Sequence, residues 1–84
     1  MAAAVRSNPM SDTSLDELRL AYKSATDKWV DAIRAEEALA TLDHSMVAME
    51  KWDDAHFREH DAHTKYTKAL EAYKDGLRKV NYGI

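Results

Sequence analysis

From Ser14 onward, hydrophobic residues recur at steps of three and four along the chain, which is the spacing of one face of an α-helix. The first such run extends from Leu15 to Leu39, and strand-type alternation fails over the same window. Its beginning is marked by Ser14 with Glu17 three residues later, an arrangement typical of a capping box. The pattern therefore predicts a first helix over about 14–41.

A second run with the same spacing predicts another helix over about 45–80. This run is hydrophobic at both ends and polar in its middle, and Asn81 and Gly83 are typical helix-stop residues after it. The positions that share its inner face are Met49, Trp52, His56, Glu59, His63, Tyr66, Leu70, Tyr73, Leu77 and Val80.

Poor helix formers cluster between the two runs, at 41–45, although no glycine or proline forces a turn there. Asp43 and Ser45 are both suitable residues to cap a following helix. The sequence therefore predicts an all-α domain over 14–84, folded as an antiparallel hairpin of two long helices with a turn near 41–45. A single long helix in a coiled coil and a split into three helices are the alternatives.

Two helices alone cannot enclose a core, and a chain of 84 residues without cysteine has no disulfide to compensate. We therefore expect a homo-oligomer, with a dimer favoured, in which two hairpins pair into a four-helix bundle or coiled coil. Large residues outside the main faces support this expectation, namely Val30, Leu42, Met46, Val47 and Phe57. The predicted core and interface residues are Leu15, Leu18, Tyr22, Trp29, Ile33, Leu39, Met49, Trp52, Tyr66, Leu70, Tyr73 and Leu77.

Composition and charge exclude several functions. Without cysteine there is no thiolate zinc site and no cysteine nucleophile, and two glycines cannot form a glycine-rich phosphate loop. Residues 27–64 carry ten acidic and four basic side chains, whereas 65–84 carry five basic and two acidic ones. An acidic middle repels phosphate, so we expect no nucleic-acid partner, although the basic end leaves that alternative open.

The first thirteen residues differ from the rest, being small and polar and containing Pro9, the single proline of the chain. They predict a disordered or loosely attached arm over 1–13. The hydrophobic stretch at 2–5 is too short for a signal peptide, and no run approaches the ~20 apolar residues of a membrane span. We therefore expect a cytoplasmic protein with no membrane partner, starting at Met1 or at Met10.

A histidine cluster is the one chemically distinctive feature of the sequence. His56, His60 and His63 are spaced so that they share one side of a helix, and Asp53 lies one turn before them. Imidazole and carboxylate ligands at this spacing suit Zn, Ni, Cu or Fe. Antiparallel pairing about the predicted turn would place Asp31 opposite His56, and Asp27 opposite His60 in the same way.

The same histidines have two other interpretations. They are compatible with a structural polar layer, hydrogen-bonded to carboxylates or to Tyr22 and Tyr66, that fixes the register of the helices. They are also compatible with an interface that responds to pH, since an unperturbed histidine titrates near pH ~6.5. No HExxH motif and no pair of ExxH motifs is present to favour the metal site.

Catalytic features are weaker still, because the sequence predicts no strained turn to activate a serine and its adjacent carboxylates point to different helix faces. We therefore predict a non-enzymatic interaction and oligomerisation module without a cofactor. Such a protein acts as an adaptor, an inhibitor or a regulatory protein through contacts with a protein partner. The alternative is a helical bundle that binds a divalent metal through histidine and carboxylate side chains.

Overall fold

The computed structural model describes residues 12–83 and the side chains of residues 14–83. Helices α1 (Asp12–Ala38) and α2 (Met46–Tyr82) pack side by side and are joined by a turn. The predicted all-α hairpin is therefore confirmed over the described residues, and the single long helix is wrong. Because α1 begins at Asp12, the last two residues of the predicted arm are helical. The rest of that arm, residues 1–11, lies outside the described residues.

The turn forms without glycine or proline because side-chain oxygens accept hydrogen bonds from its backbone N–H groups. The N–H groups of residues 39 and 40 each bond a carbonyl three residues back, which tightens and ends α1 three residues before the predicted boundary. The backbone N–H of Asp43 then donates to Thr41 Oγ1 at 3.2 Å. The N–H of Ser45 donates to Asp43 Oδ1 at 3.0 Å. The polar residues that weaken the helix are thus also the ones that stabilise the turn.

Both ends of α2 are capped as the sequence predicts. Ser45 is the N-cap residue, and its hydroxyl accepts the N–H of Ala48 at 3.2 Å. A serine in this role stabilises a helix by ~1 kcal/mol relative to alanine. Gly83 adopts the left-handed conformation, with φ of 73°, and its N–H donates to the carbonyl of Lys79 at 3.0 Å. A residue without a Cβ adopts this conformation at no steric cost, which explains why the helix stops there.

Aromatic side chains fill the contact between the helices. Tyr22 of α1 packs between Tyr66 and Tyr73 of α2, with ring centroids 5.9 and 5.8 Å apart. Trp29 packs against Tyr66 at 4.7 Å and against His63 at 4.6 Å. Ring pairs of this kind contribute ~0.5–1.5 kcal/mol each beyond the area that they bury. A row of aromatic rings therefore forms the middle of the contact between the two helices.

The hairpin is thin and leaves most of its hydrophobic residues accessible. Its Cα atoms span 63 × 24 × 13 Å with a radius of gyration of 18.8 Å, whereas a compact domain of this length has about 12 Å. Of the predicted core and interface residues, all are half-buried except Ile33 and Met49, which are exposed. Neither described helix is apolar enough over a sufficient length to cross a bilayer.

Candidate functional site

Three side chains with metal-ligand chemistry converge where the end of α1 meets α2. Glu36 lies on the last turn of α1, and His56 and Glu59 lie one turn apart on α2. His56 Nδ1 is 2.9 Å from Glu36 Oε2 and 4.0 Å from Glu59 Oε1. One ligand atom from each residue lies within 4.8 Å of the other two. We refer to these residues as the Glu–His–Glu cluster.

Helical spacing explains why these side chains meet. Glu36 follows Trp29 by seven residues, so it lies on the face of α1 that packs against α2. His56 and Glu59 are three residues apart and therefore share one face of α2. The cluster thus continues the aromatic row towards the turn, with polar side chains in the place of rings.

The electrostatics of the cluster favour positive charge. The side chains of Glu36 and Glu59 are only 17% and 19% exposed, while that of His56 is 52% exposed. No lysine or arginine among residues 14–83 forms an ion pair with either carboxylate. The hydrogen bond that the His56 ring donates to Glu36, together with the negative charges of nearby carboxylates, raises the pKa of His56. Even with His56 protonated, the three side chains carry a net negative charge.

Two aromatic residues hold the cluster in position. The indole Nε1–H of Trp29 donates to Glu59 Oε2 at 2.7 Å, which leaves Oε1 facing His56. Trp52 stacks on the imidazole of His56, with centroids 5.2 Å apart and planes within 6°. A carboxylate and an imidazole fixed by neighbours in this way are preorganised to bind a ligand.

Of the four metal ligands predicted from the sequence, only His56 belongs to the cluster. His63 uses its ring to pack against Trp29. His60 is exposed on the surface of α2. Asp53 is also exposed, and its charge adds weakly to the raised pKa of His56. The spacing of the histidines in the sequence thus identified one residue of the cluster, and the structure places the other three predicted ligands outside it.

The acids of α1 that the sequence placed opposite the histidines do not take those positions. Asp27 and Asp31 are both exposed, because each is two residues from Trp29 and so points away from the face that α2 covers. Glu36 is the acid that contacts His56. One feature of the sequence could have identified Glu36: it is a charged residue on a face of α1 that is otherwise hydrophobic.

Comparison of the chain with protein-family models, with curated proteins and with solved structures gives no match.

Proposed function

We propose that this protein is a small, non-enzymatic interaction module that works as a homo-oligomer, with two hairpins sharing one core in a four-helix bundle. One observation supports the proposal above the others. Ala55 is the only hydrophobic residue that is buried among residues 14–83, although hydrophobic residues make up 45% of the sequence. A fold that buries so little in one chain gains most of its hydrophobic stabilisation from another.

The thinness of the hairpin supports the same conclusion. Its Cα atoms extend only 13 Å in the shortest direction, about the thickness of one layer of helices. Stable domains have at least two packed layers around a hydrophobic core. A second copy lying on one flat side of the hairpin supplies the missing layer, and identical chains make such a contact self-complementary.

Exposed hydrophobic residues are concentrated near the turn and the start of α2. Leu42 in the turn is 97% exposed, and Phe57 on α2 is 74% exposed. Burying one phenylalanine of this kind stabilises an assembly by ~2 kcal/mol. We therefore place the turn half of the hairpin in the contact between copies. The exposed large hydrophobic residues are Leu20, Val30, Ile33, Leu42, Met46, Val47, Met49, Phe57, Val80 and Tyr82.

On the side of the turn half that a second copy does not cover, the assembled module would offer an acidic surface to a further protein partner. The excess of acidic side chains lies within residues 27–64, which include the turn and both adjoining helix halves. A surface of one sign speeds association with a partner of the opposite sign. An adaptor, inhibitor or regulatory protein that binds a basic protein surface fits this charge distribution.

Sedimentation velocity of the full chain, from about 1 to about 100 µM, tests self-association. We expect the native protein to sediment as a dimer at the upper end of this range. Phe57→Ser should weaken the dimer at least about tenfold, because a buried phenylalanine stabilises by more than the ~1.4 kcal/mol that a tenfold change requires.

Tyr82→Ser is the matched control, since Tyr82 is an aromatic residue as exposed as Phe57 but at the other end of α2. It should leave the dimer unchanged, and circular dichroism should show that both variants remain helical. A native chain that stays monomeric over the whole range and still unfolds cooperatively contradicts the proposal.

A further inference from the structure

We infer that the Glu–His–Glu cluster binds one divalent transition-metal ion, coordinated by His56 Nδ1 and by one carboxylate oxygen each from Glu36 and Glu59. This goes beyond self-association, because the three ligands belong to one chain and join its two helices. Zinc is the appropriate probe, since it accepts nitrogen and oxygen ligands in a tetrahedral arrangement.

The distances suit a single ion. Zinc lies ~2.0–2.2 Å from imidazole nitrogen and carboxylate oxygen, so ligand atoms on one zinc are separated by roughly 3.4 Å. The cluster has 2.9 and 4.0 Å for the two pairs that include His56 Nδ1, with all three atoms within 4.8 Å. Changes of about half an ångström in the two distances to His56 Nδ1, and of at most about 1.4 Å between the two carboxylate oxygens, bring these atoms to a common ion. Three protein ligands leave the fourth position to water.

The charges also suit a divalent ion. A proton on His56 neutralises only one of the two carboxylates, and both are more than four-fifths buried. A partly buried charge that no opposite charge neutralises is costly, whereas a divalent cation neutralises Glu36 and Glu59 together while it binds the neutral imidazole. No lysine or arginine of residues 14–83 pairs with these carboxylates to compete with the ion.

The contacts around the cluster resemble those that support metal ligands elsewhere. Glu59 accepts the indole N–H of Trp29 through Oε2 and directs Oε1 towards His56. Such outer hydrogen bonds fix the ligand carboxylate, and their loss typically weakens metal binding 10–100-fold. The ring of Trp52, which stacks parallel to the imidazole of His56, restricts the orientation of that imidazole.

Calorimetric titration of zinc chloride into the metal-free full chain tests the site at about pH 7.5, since zinc competes with protons for its ligand atoms and binds more weakly at acid pH. We expect one zinc per chain, whatever the oligomeric state. Glu36→Gln and Glu59→Gln should each weaken zinc binding at least about tenfold, since each removes a ligand. Glu37→Gln and Glu50→Gln are the matched controls, because they remove an exposed carboxylate from the same two helices. Their zinc affinity should stay within about twofold of the native value.

A second measurement uses the unaltered protein and so does not depend on variants that fold. Zinc should shift the NMR resonance of His56 Nδ1 before it affects the nitrogen resonances of His44, His60 or His63. Equal zinc affinities for Glu36→Gln and Glu37→Gln, the absence of saturable binding, or a first response at His60 or His63 would each overturn the inference. The stoichiometry is counted per chain, so zinc binding and self-association are tested separately. A monomer that binds one zinc would contradict the proposed self-association and still support the metal site.

Discussion

Trp29 takes part in both kinds of contact that hold the hairpin together. Its ring packs against Tyr66 and His63, and its N–H donates to the carboxylate of Glu59. Hydrogen bonds to a charged group contribute ~1.5–3 kcal/mol, more than bonds between neutral groups. The residue therefore connects the aromatic row to the Glu–His–Glu cluster.

Replacing Trp29 by phenylalanine keeps an aromatic ring but removes the N–H donor. We expect Trp29→Phe to lower the free energy of unfolding by ~1–3 kcal/mol, because Glu59 loses a charge-assisted hydrogen bond in a half-buried position. Urea denaturation followed by circular dichroism measures the change. Trp52→Phe is the control, since Trp52 stacks on His56 and the replacement retains a ring there. Equal losses for the two variants would show that the hydrogen bond contributes nothing.

Single residues were predictable from the sequence to different degrees. His56 was identified because histidines at helical spacing are visible in one segment of the chain. Glu36 was not, because its role depends on which residue of α2 lies across from it. Spacing within a helix fixes a face, but the partner across the contact depends on how the two helices are positioned.

At the scale of elements, the turn between α1 and α2 depends on a short chain of hydrogen bonds. Asp43 accepts the backbone N–H of Ser45, and Ser45 in turn caps α2. The hydrogen bond from the Ser45 backbone, supported by that from its side chain, lowers the pKa of Asp43. The ionised carboxylate is therefore the form that the folded turn prefers.

This preference predicts how the stability of the hairpin depends on pH. A carboxylate with a depressed pKa stabilises the folded state above its unfolded pKa of about 3.8, and that contribution is lost as the pH falls through the folded value. Asp43→Asn retains an oxygen acceptor without the charge. We expect native protein to have a higher urea midpoint than Asp43→Asn near pH 7 and the difference to narrow at about pH 2.5.

Asp54→Asn is the control, because it removes the same charge from an exposed position of α2. Its urea midpoint shows how much of the effect of Asp43→Asn comes from net charge alone. A gap between native protein and Asp43→Asn that widens on acidification would contradict the assigned role of Asp43.

The ends of the helices were predicted where a local signal exists. Ser45 and Gly83 act through their own side chain or backbone, so both were recognisable in the sequence. The end of α1 was not, because residues 38–40 are good helix formers and the helix stops where the turn begins to bond. Propensity favours continuation there, and the hydrogen bonds of the turn outweigh it.

At the scale of the whole molecule, self-association predicts that stability depends on protein concentration. A hundredfold increase in concentration should stabilise a dimer by up to about 2.7 kcal/mol, because folding and association are linked. Thermal denaturation followed by circular dichroism should therefore show a midpoint that rises with concentration. Phe57→Ser should flatten this dependence, whereas Tyr82→Ser should not. A midpoint of the native chain that is independent of concentration would count against a shared core.

By itself, the sequence determined that the chain is helical, where it turns, and which face of each helix is hydrophobic, because all three depend on residues close together in the chain. Only the tertiary structure decided which polar residues meet. The Glu–His–Glu cluster draws two neighbouring residues from α2 and one from α1, and that meeting depends on the register and rotation of one helix against the other. The spacing of the sequence already placed the aromatic residues on the inner faces of the helices, but which ring packs against which depends on the same register.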